Sequence, residues 1–377
     1  MKKNPFPTTL YIGSEYFCDR EQETKTLLSN ITSGLSTTVT AIRRMGKTGL
    51  IHHVFTRLPK NYLPVYVDIL ATTDKKDFLN ALTSAVVNAI PEESTMGKQI
   101  LRFIRSLRPV ITYNPLSGMP QVTLAGSEPE TDHNIQSVLA FLENLNKKVV
   151  IAIDEFQQIL EYPEKNTDAW LRSIIQNLTN VIFLFSGSQN HLMTGLFTNP
   201  QRPFYRSTQL LHLEAIPSEV YAEFILQQFI SHNKQIDKEL ITKILDWTQV
   251  HTYYVQVVCN RIFANSGKKV TELDFRQETQ KLLSEQEIVF FQYRDLLTTP
   301  QWNLLKAIGM EPDVFAPTSM DFIKKHNLGN PATVLRSLKA LETKEMIYHH
   351  LTPDGKKNFH IYDLLLKRWI ETKYSIL

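Results

Sequence analysis

The hydrophobic positions of this chain form short continuous runs, separated by stretches with helical periodicity, through residue 216. Continuous apolar runs of about four to eight residues are typical of strands that are buried on both faces of a parallel sheet. Strands are predicted over residues 38–42, 62–70, 147–155, 180–189 and 210–213. Helices are predicted between them, over residues 75–90, 135–145 and 170–178. Strands that alternate with helices in this way predict an α/β fold with a doubly wound, mostly parallel sheet.

Three segments depart from this alternation. Residues 108–126 hold two short β-patterned runs around a turn rich in Pro and Gly, which predicts a hairpin insertion. Residues 217–283 show helical periodicity only and predict a helical lid. Residues 284–377 predict three helices and then two short strands around the turn 352–355, a winged helix-turn-helix. We therefore predict a core over residues 1–216, a lid over 217–283 and a winged helix over 284–377.

A loop with the chemistry of a phosphate site follows the first strand. Its residues, which we predict to bind nucleotide, are Arg43, Arg44, Met45, Gly46, Lys47, Thr48 and Gly49. In a strand–loop–helix of this kind, the backbone amides and the helix N-terminus hold phosphates. Lys47 is predicted to reach the β- and γ-phosphates, and the Thr48 hydroxyl to bind Mg²⁺. Ala41 stands where the full motif has its first glycine, which requires a negative φ there.

Two carboxylates end the strand that is predicted over residues 147–155. Asp154 and Glu155 would lie at the carboxyl edge of the sheet, where open α/β sheets bind ligands. Asp154 is predicted to hold Mg²⁺ through water, and Glu155 to polarise the attacking water as the catalytic carboxylate. The alternative is that the pair only caps a helix beginning at Phe156. The phosphate loop upstream favours the first interpretation, with ATP and Mg²⁺ as cofactors.

Composition narrows the class of protein further. The chain has 377 residues, a net charge of +3 and two cysteines, Cys18 and Cys259, without metal-ligand spacing. Such cysteines are typical of buried thiols in a reducing compartment. The basic N-terminus leads into no apolar segment of a signal peptide, and no window approaches the length of a membrane span. We predict a cytoplasmic protein without a membrane partner.

Together, these motifs resemble those of the archaeal-type ATPases, P-loop NTPases related to the STAND and AAA+ proteins. The segment 17–23 is similar to their h-h-G-R-E-x-E box, with Asp19 in place of Gly. The double arginine of the loop and the pair Asp154-Glu155 also resemble the family pattern. The segment 251–256 is similar to the family's Gly-His-Pro element, although Val250 and Thr252 replace the Gly and Pro. The resemblance spans nearly the whole chain and implies a P-loop ATPase core.

The resemblance also implies roles that the motifs alone do not. Ser188 and Gln189 stand where the family keeps a polar sensor at the end of a strand. Arg206 resembles a further conserved arginine, which would stabilise the γ-phosphoryl charge within the subunit or across an interface. The alternative for Arg206 is a surface residue paired with an acid. Arg20 with its neighbouring glutamates is either part of the family box or a charged helix face.

The partners stay open at this stage. Residues 284–377 contain 12 Lys/Arg and 11 Asp/Glu, whereas DNA-binding modules have a clear basic face. The predicted recognition helix presents Thr333, Arg336, Ser337 and Lys339 outward. We predict a slow ATPase that acts as a nucleotide-driven conformational switch, with ATP and ADP as ligands and a protein partner or self-assembly. The alternatives are a nucleotide-gated DNA-binding regulator and a nucleotide-binding scaffold that does not hydrolyse ATP.

Overall fold

The computed structural model describes residues 4–9, 11–352 and 354–374. The chain divides into two compact units, which we describe separately. One contains residues 7–221, and the other contains residues 222–374 together with the short N-terminal segment 4–6. None of the helices in these described ranges is long and apolar enough to cross a bilayer.

Strands and helices alternate in the first unit. The strands are β1 (Thr37–Thr40), β2 (Tyr62–Asp68), β3 (Val110–Tyr113), β4 (Pro120–Thr123), β5 (Lys148–Asp154), β6 (Val181–Ser186) and β7 (Gln209–His212). The helices are α1 (Glu21–Thr32), α2 (Lys47–Thr56), α3 (Lys75–Asn88), α4 (Thr95–Ser106), α5 (Glu128–Glu143), α6 (Thr167–Ile175) and α7 (Asn190–Thr198), and α8 (Ser218–Ser231) runs on into the second unit. Short 3-10 helices span Ser14–Tyr16 and Phe156–Glu161.

Five strands form the central sheet, in the order β2-β5-β6-β1-β7. Every neighbouring pair is parallel. Successive residues of β5 contribute to two different hydrophobic clusters. Val149, Ile151 and Ile153 pack with residues of α3 to α7, whereas Val150 and Ala152 pack with residues of α1 and α2. Because side chains alternate across a strand, helices cover both faces of the sheet. The predicted doubly wound α/β fold is confirmed.

The predicted hairpin is present as the antiparallel pair β3–β4. It is fixed to α3 by hydrogen bonds from the amides of Val122 and Leu124 to the side chains of Ser84 and Asn80, at 2.9 Å each. Helix α4, for which the sequence analysis makes no prediction, directly precedes it. Ile100 and Ile104 bury one face of α4 in the core. Residues 94–127, which comprise α4, β3 and β4, are called the insertion below.

The second unit is helical apart from one two-stranded sheet. It contains α9 (Lys238–Thr248), α10 (Thr252–Asn265), α11 (Glu272–Asp295), α12 (Thr299–Met310), α13 (Met320–His326), α14 (Pro331–Thr343), β8 (Ile347–Leu351), β9 (Lys357–Ile361) and α15 (Leu364–Tyr374). The three helices α12 to α14 and the antiparallel wing β8–β9 confirm the winged helix prediction. Pro353, within the predicted turn, lies outside the described residues.

The helical segment and the winged helix pack together within this unit. Tyr254 Oη donates to Asp363 Oδ1 at 3.0 Å, and Arg368 Nε donates to the Trp247 carbonyl at 2.8 Å. Helix α11 runs without a break through Ser284, where the sequence analysis sets a domain boundary. It has neither Gly nor Pro to interrupt it there. The division of the chain into three domains stays a prediction.

One prediction about the recognition helix is wrong. Ser337, expected to point outward from α14, is buried. Val334, Ser337, Leu338 and Leu341 recur at i, i+3, i+4 and i+7, so they share the helix face that packs on the core. The short hydroxyl side chain therefore belongs to the inner face of α14.

Candidate functional site

The loop between β1 and α2 has the backbone geometry of an anion site. Arg44 (φ 64°) and Gly46 (φ 95°) are left-handed, and each follows a residue outside that region. This alternation turns successive amides toward one point. The first amides of α2, which begins at Lys47, have no acceptor within the helix. The predicted phosphate loop therefore offers a concave group of N–H donors.

The side chains of the loop divide into buried and exposed ones. Ala41 and Met45 are buried in the core beneath the loop, so Met45 offers only its backbone to a ligand. Ala41 is absent from the residues with positive φ, as predicted for an alanine at this corner. Arg43 and Arg44 are exposed. The two arginine side chains of the loop are therefore accessible to solvent and to a ligand.

Lys47 is buried behind the loop. Its Nζ donates to the Ala41 carbonyl at 3.4 Å, which is long for a hydrogen bond. Burial lowers the pKa of Lys47, and the nearby carboxylates of Asp154 and Glu155 oppose that shift. A buried ammonium group with so weak a partner gains from an incoming anion.

Asp154 joins the loop to the sheet. Its Oδ2 accepts hydrogen bonds from Thr48 Oγ1 at 2.7 Å and from Tyr66 Oη at 2.8 Å. Its Oδ1 accepts one from Ser186 Oγ at 2.6 Å. The structure thus brings together the two residues predicted to hold Mg²⁺, although they lie far apart in the chain.

The Glu155 side chain is hydrogen-bonded by a residue that follows the neighbouring strand β6. Glu155 is left-handed (φ 58°), and its side chain makes no cap for the 3-10 helix that follows. Its Oε2 instead accepts from Gln157 Nε2 at 2.6 Å and from both the amide and Oγ of Ser188, at 3.0 and 2.8 Å. The capping alternative is therefore wrong, and the predicted sensor residue Ser188 contacts the predicted catalytic carboxylate.

A glycine makes this contact possible. Gly187 lies between Ser186 and Ser188, and a Cβ added to it would stand 2.0 Å from Gln157 Oε1. Gln157 Oε1 is buried, with no hydrogen-bond partner in the described part of the chain. The strand end and the 3-10 helix can approach this closely only where a side chain is missing.

Two predicted site residues lie apart from this network. Gln189 is the half-buried residue that precedes α7. Arg206 is exposed and left-handed (φ 51°), with its guanidinium 5.2 Å from the centroid of the Tyr205 ring. Among the described residues, Arg206 forms no ion pair with an acid and no hydrogen bond to Glu155. A single subunit therefore shows Arg206 neither beside the catalytic carboxylate nor paired with an acid.

The predicted N-terminal box is only partly buried, because Glu21 and Gln22 are exposed. Arg20 is buried and its Nη1 lies 2.7 Å from Glu23 Oε1, which excludes the exposed charged face for this residue. Asp19, which stands in place of the family's Gly, has a φ of 53°. Phe17 stacks on His53 of α2, with ring centroids 4.3 Å apart.

Three residues of the network were not among the predicted site residues: Tyr66, Gln157 and Ser186. Tyr66 lies on β2, whose parallel register with β5 pairs Asp68 with Asp154. Burial, followed by the charge of Asp154, raises the pKa of Tyr66, so the phenol stays a donor. A polar residue at the end of an apolar run was the available signal for Ser186.

The donor set fits a magnesium–nucleotide complex. Mg²⁺ is bound through few protein oxygens and completes its shell with water and phosphate oxygens. Thr48 Oγ1 and Asp154 Oδ2 are two such oxygens, and the loop amides beside them suit phosphates. The orphaned Gln157 Oε1 suits a bound water next to Glu155.

Comparison with known proteins concerns the family and the fold of the chain. Residues 288–372 match the model of a probable winged helix domain. No curated protein sequence matches the chain. The Walker-type ATPase of Pyrococcus abyssi has a similar structure, with a TM-score of 0.67 and 15% identity over 97% of this chain and 99% of that one. The ORC2 protein of Aeropyrum pernix, solved as ADPNP–ADP complexes, gives a TM-score of 0.56 and 14% identity over 99% and 98%. Cdc6p of Pyrobaculum aerophilum gives a TM-score of 0.51 and 11% identity over 98% of each chain.

At these identities the structural likeness concerns the fold. The sequence match is more specific, because residues 17–249 fit the model of an ATPase domain that is found predominantly in Archaea. This range contains the phosphate loop, the two carboxylates and the sensor strand. The chain belongs to this predominantly archaeal family of ATPase domains.

Proposed function

We propose that this protein binds ATP with Mg²⁺ at residues 43–49 and hydrolyses it slowly, as a nucleotide-driven conformational switch. The observation that carries the proposal is the 2.7 Å hydrogen bond from Thr48 Oγ1 to Asp154 Oδ2. It joins the loop to the acidic strand end at a single point. Membership in the ATPase family supports the same function.

The residues of the loop bind the phosphates in this proposal. The amides of the loop and of the first turn of α2 donate to phosphate oxygens, and Lys47 Nζ exchanges its long bond to the Ala41 carbonyl for the β- and γ-phosphates. Arg43 and Arg44 flank the phosphates from the open side. Thr48 and Asp154 hold Mg²⁺, which when bound neutralises phosphate charge.

Glu155 orients the attacking water and accepts its proton. Ser188 and Gln157 position the Glu155 carboxylate, because three donors converge on one of its oxygens. Glu155 can therefore act only while Ser188, at the end of the sensor strand, contacts its carboxylate. Contacts that exist only with the γ-phosphate shift the equilibrium between two conformations of the protein, and hydrolysis reverses the shift.

Arg206 supplies the remaining charge from a neighbouring subunit in this proposal. Its exposed position, without an acidic partner in the described part of the chain, leaves the guanidinium accessible to a second copy. An arginine supplied in this way can raise the hydrolysis rate by several orders of magnitude. We therefore expect an isolated monomer or weak dimer with very low turnover. A cytoplasmic location is part of the proposal, and it is supported by the two buried free thiols.

Steady-state phosphate release separates the enzyme from a non-hydrolysing scaffold. The wild type should release phosphate slowly, whereas Glu155→Gln should bind ATP with similar affinity and release none above background. Equal rates for the two proteins, both at background with ATP bound, would establish a scaffold and contradict the catalytic role of Glu155.

The specific activity at increasing protein concentration tests Arg206. It should rise with concentration for the wild type and stay low for Arg206→Ala. Arg202→Ala is the matched control, because Arg202 lies nearby in the sequence but pairs with Asp168 at 3.4 Å. A flat profile for the wild type, with Arg206→Ala equally active, would rule out the shared site.

A further inference from the structure

The insertion contains basic side chains but no acidic ones. Residues 94–127 contain four of the 41 Lys and Arg residues and none of the 38 Asp and Glu residues. The rest of the chain is left with 37 basic and 38 acidic side chains. This segment therefore has an excess of basic side chains, although Glu92 and Glu93 precede it and Glu128 and Glu130 follow it.

The four cations lie on one exposed surface. Lys98, Arg102 and Arg105 are spaced i, i+4 and i+7 along α4, on the side opposite the buried Ile100 and Ile104. Arg108 follows the end of the helix and is also exposed. None of the four forms an ion pair with another described residue. They are cations without a compensating acid, and they suit a polyanion.

Arg108 occupies a backbone position that does not favour arginine. Its φ is 55°, in the left-handed region where a helix most often ends with glycine. The side chain is exposed, so no burial in the core offsets this strain. An exposed side chain at this position is accessible to a ligand.

The hairpin beside these cations has one face toward solvent, and this face carries Val110 as well as polar side chains. Thr112 pairs with Gln121 and Val110 with Thr123 across the two strands, and all four side chains are exposed. The other face packs on the core through Val122. At the tip, Leu116 is 97% exposed. A two-stranded ribbon with hydrogen-bonding side chains thus lies next to a row of cations.

We propose that the insertion is a binding surface for duplex DNA. The four cations of α4 and its C-terminal end contact phosphates, which provide most of the salt-sensitive affinity. The major groove of B-DNA admits a two-stranded ribbon, and Thr and Gln hydrogen-bond to base edges there. The major groove of an RNA duplex is too narrow for such contacts.

The winged helix offers a weaker version of the same chemistry. Helix α14 exposes Arg336 and Lys339, but also Leu335, and Ser337 is buried. Lys356 of the wing pairs with Asp354 at 2.7 Å. The insertion therefore has the larger net charge, +4 against +1 for residues 284–377.

Salt titrations of duplex DNA binding by the full chain, without nucleotide, test the proposal independently of ATP. Arg102→Ala/Arg105→Ala removes two charges from the insertion, and Arg336→Ala/Lys339→Ala removes two from the winged helix as the matched control. Each lost phosphate contact lowers the slope of log K against log salt by about 0.9. We expect the insertion variant to lose about 10- to 100-fold in affinity at low salt. The control should match the wild type.

Arg108→Gly gives a readout that damage to the fold does not explain. Glycine suits the left-handed backbone, so the melting temperature should stay the same or rise while DNA affinity falls. Three results would overturn the proposal. These are an absence of duplex binding by the wild type at low salt, an equal loss in the winged helix control, and equal competition by RNA duplexes or anionic vesicles.

Discussion

Replacing Gly187 with alanine should both destabilise the core unit and disable Glu155. The new Cβ would stand 2.0 Å from Gln157 Oε1 and 2.8 Å from Cγ and Sδ of Met193. Neither neighbour has room to move, because Gln157 is 4% exposed and Met193 is fully buried. Overpacking of this kind costs about 1–3 kcal/mol. Displacing Gln157 also breaks its 2.6 Å hydrogen bond to Glu155, which moves the cost toward the upper end of that range.

Gly195→Ala is the matched control. Gly195 lies within α7, and a Cβ there would meet nothing within 4 Å. Alanine is the better helix former, so this variant should gain up to about 1 kcal/mol. The same chemical change, eight positions further along the chain, therefore has the opposite predicted sign.

Scanning calorimetry and ATP turnover measure the two consequences. The melting temperature of the core unit should shift by about 2–4 °C for each kcal/mol, downward for Gly187→Ala and upward for Gly195→Ala. Turnover should fall only for Gly187→Ala. A Gly187→Ala protein as stable and as active as the wild type would refute the argument that Gln157 and Ser188 together position Glu155.

Two further predictions concern the second unit. Val250 is left-handed (φ 53°), a strained conformation for a β-branched residue. Val250→Gly should therefore be more stable than Val250→Ala by about 1 kcal/mol, although it removes more of the side chain. The reverse order of stability in urea melts would contradict the strain. His360 has a pKa lowered to about 4, by burial first and then by His350 and Lys367, with Asp313 opposing. Its unfolded form takes up a proton near pH 6.5, so stability is complete above that pH and is lost as the pH falls toward 4. Melting temperatures from pH 7 to 4.5 should fall less steeply for His360→Asn, and parallel curves for the two proteins would exclude His360 as the cause.

Most of the sheet could be predicted because β1, β5 and β6 are buried on both faces and β2 largely so. Continuous apolar runs mark β2, β5 and β6 directly, and the residues after them mark the carboxyl edge. Helix α4 could not be predicted with equal ease. It contains Gly97 in its first turn, where a Cβ would lie 2.2 Å from the Pro91 carbonyl oxygen, so a tertiary contact selects a poor helix former.

The site residues that belong to a sequence motif could be predicted. Thr48 and Asp154 follow from the loop and the acidic strand end. Tyr66 does not, because its contact with Asp154 depends on the register between two strands that are distant in sequence. Gln157 depends on the turn of the 3-10 helix after Glu155, which no local pattern specifies. Such contacts arise from tertiary packing. In the sequence they are visible only as a polar residue within an apolar run.

Thermal stabilisation by Mg·ATP tests the central claim most directly, since it reports binding at Lys47 without requiring turnover. Saturating ligand at about 100 times its Kd stabilises a binding protein by about 2.7 kcal/mol. The wild type and Lys60→Ala, which removes an exposed lysine beyond the end of α2, should show this rise in melting temperature. Lys47→Ala should remain folded without ligand, although it loses a buried side chain, a 3.4 Å hydrogen bond and the attraction to Asp154 and Glu155. It should show no rise in melting temperature with Mg·ATP. A Lys47→Ala protein stabilised by Mg·ATP as much as the wild type would contradict the site.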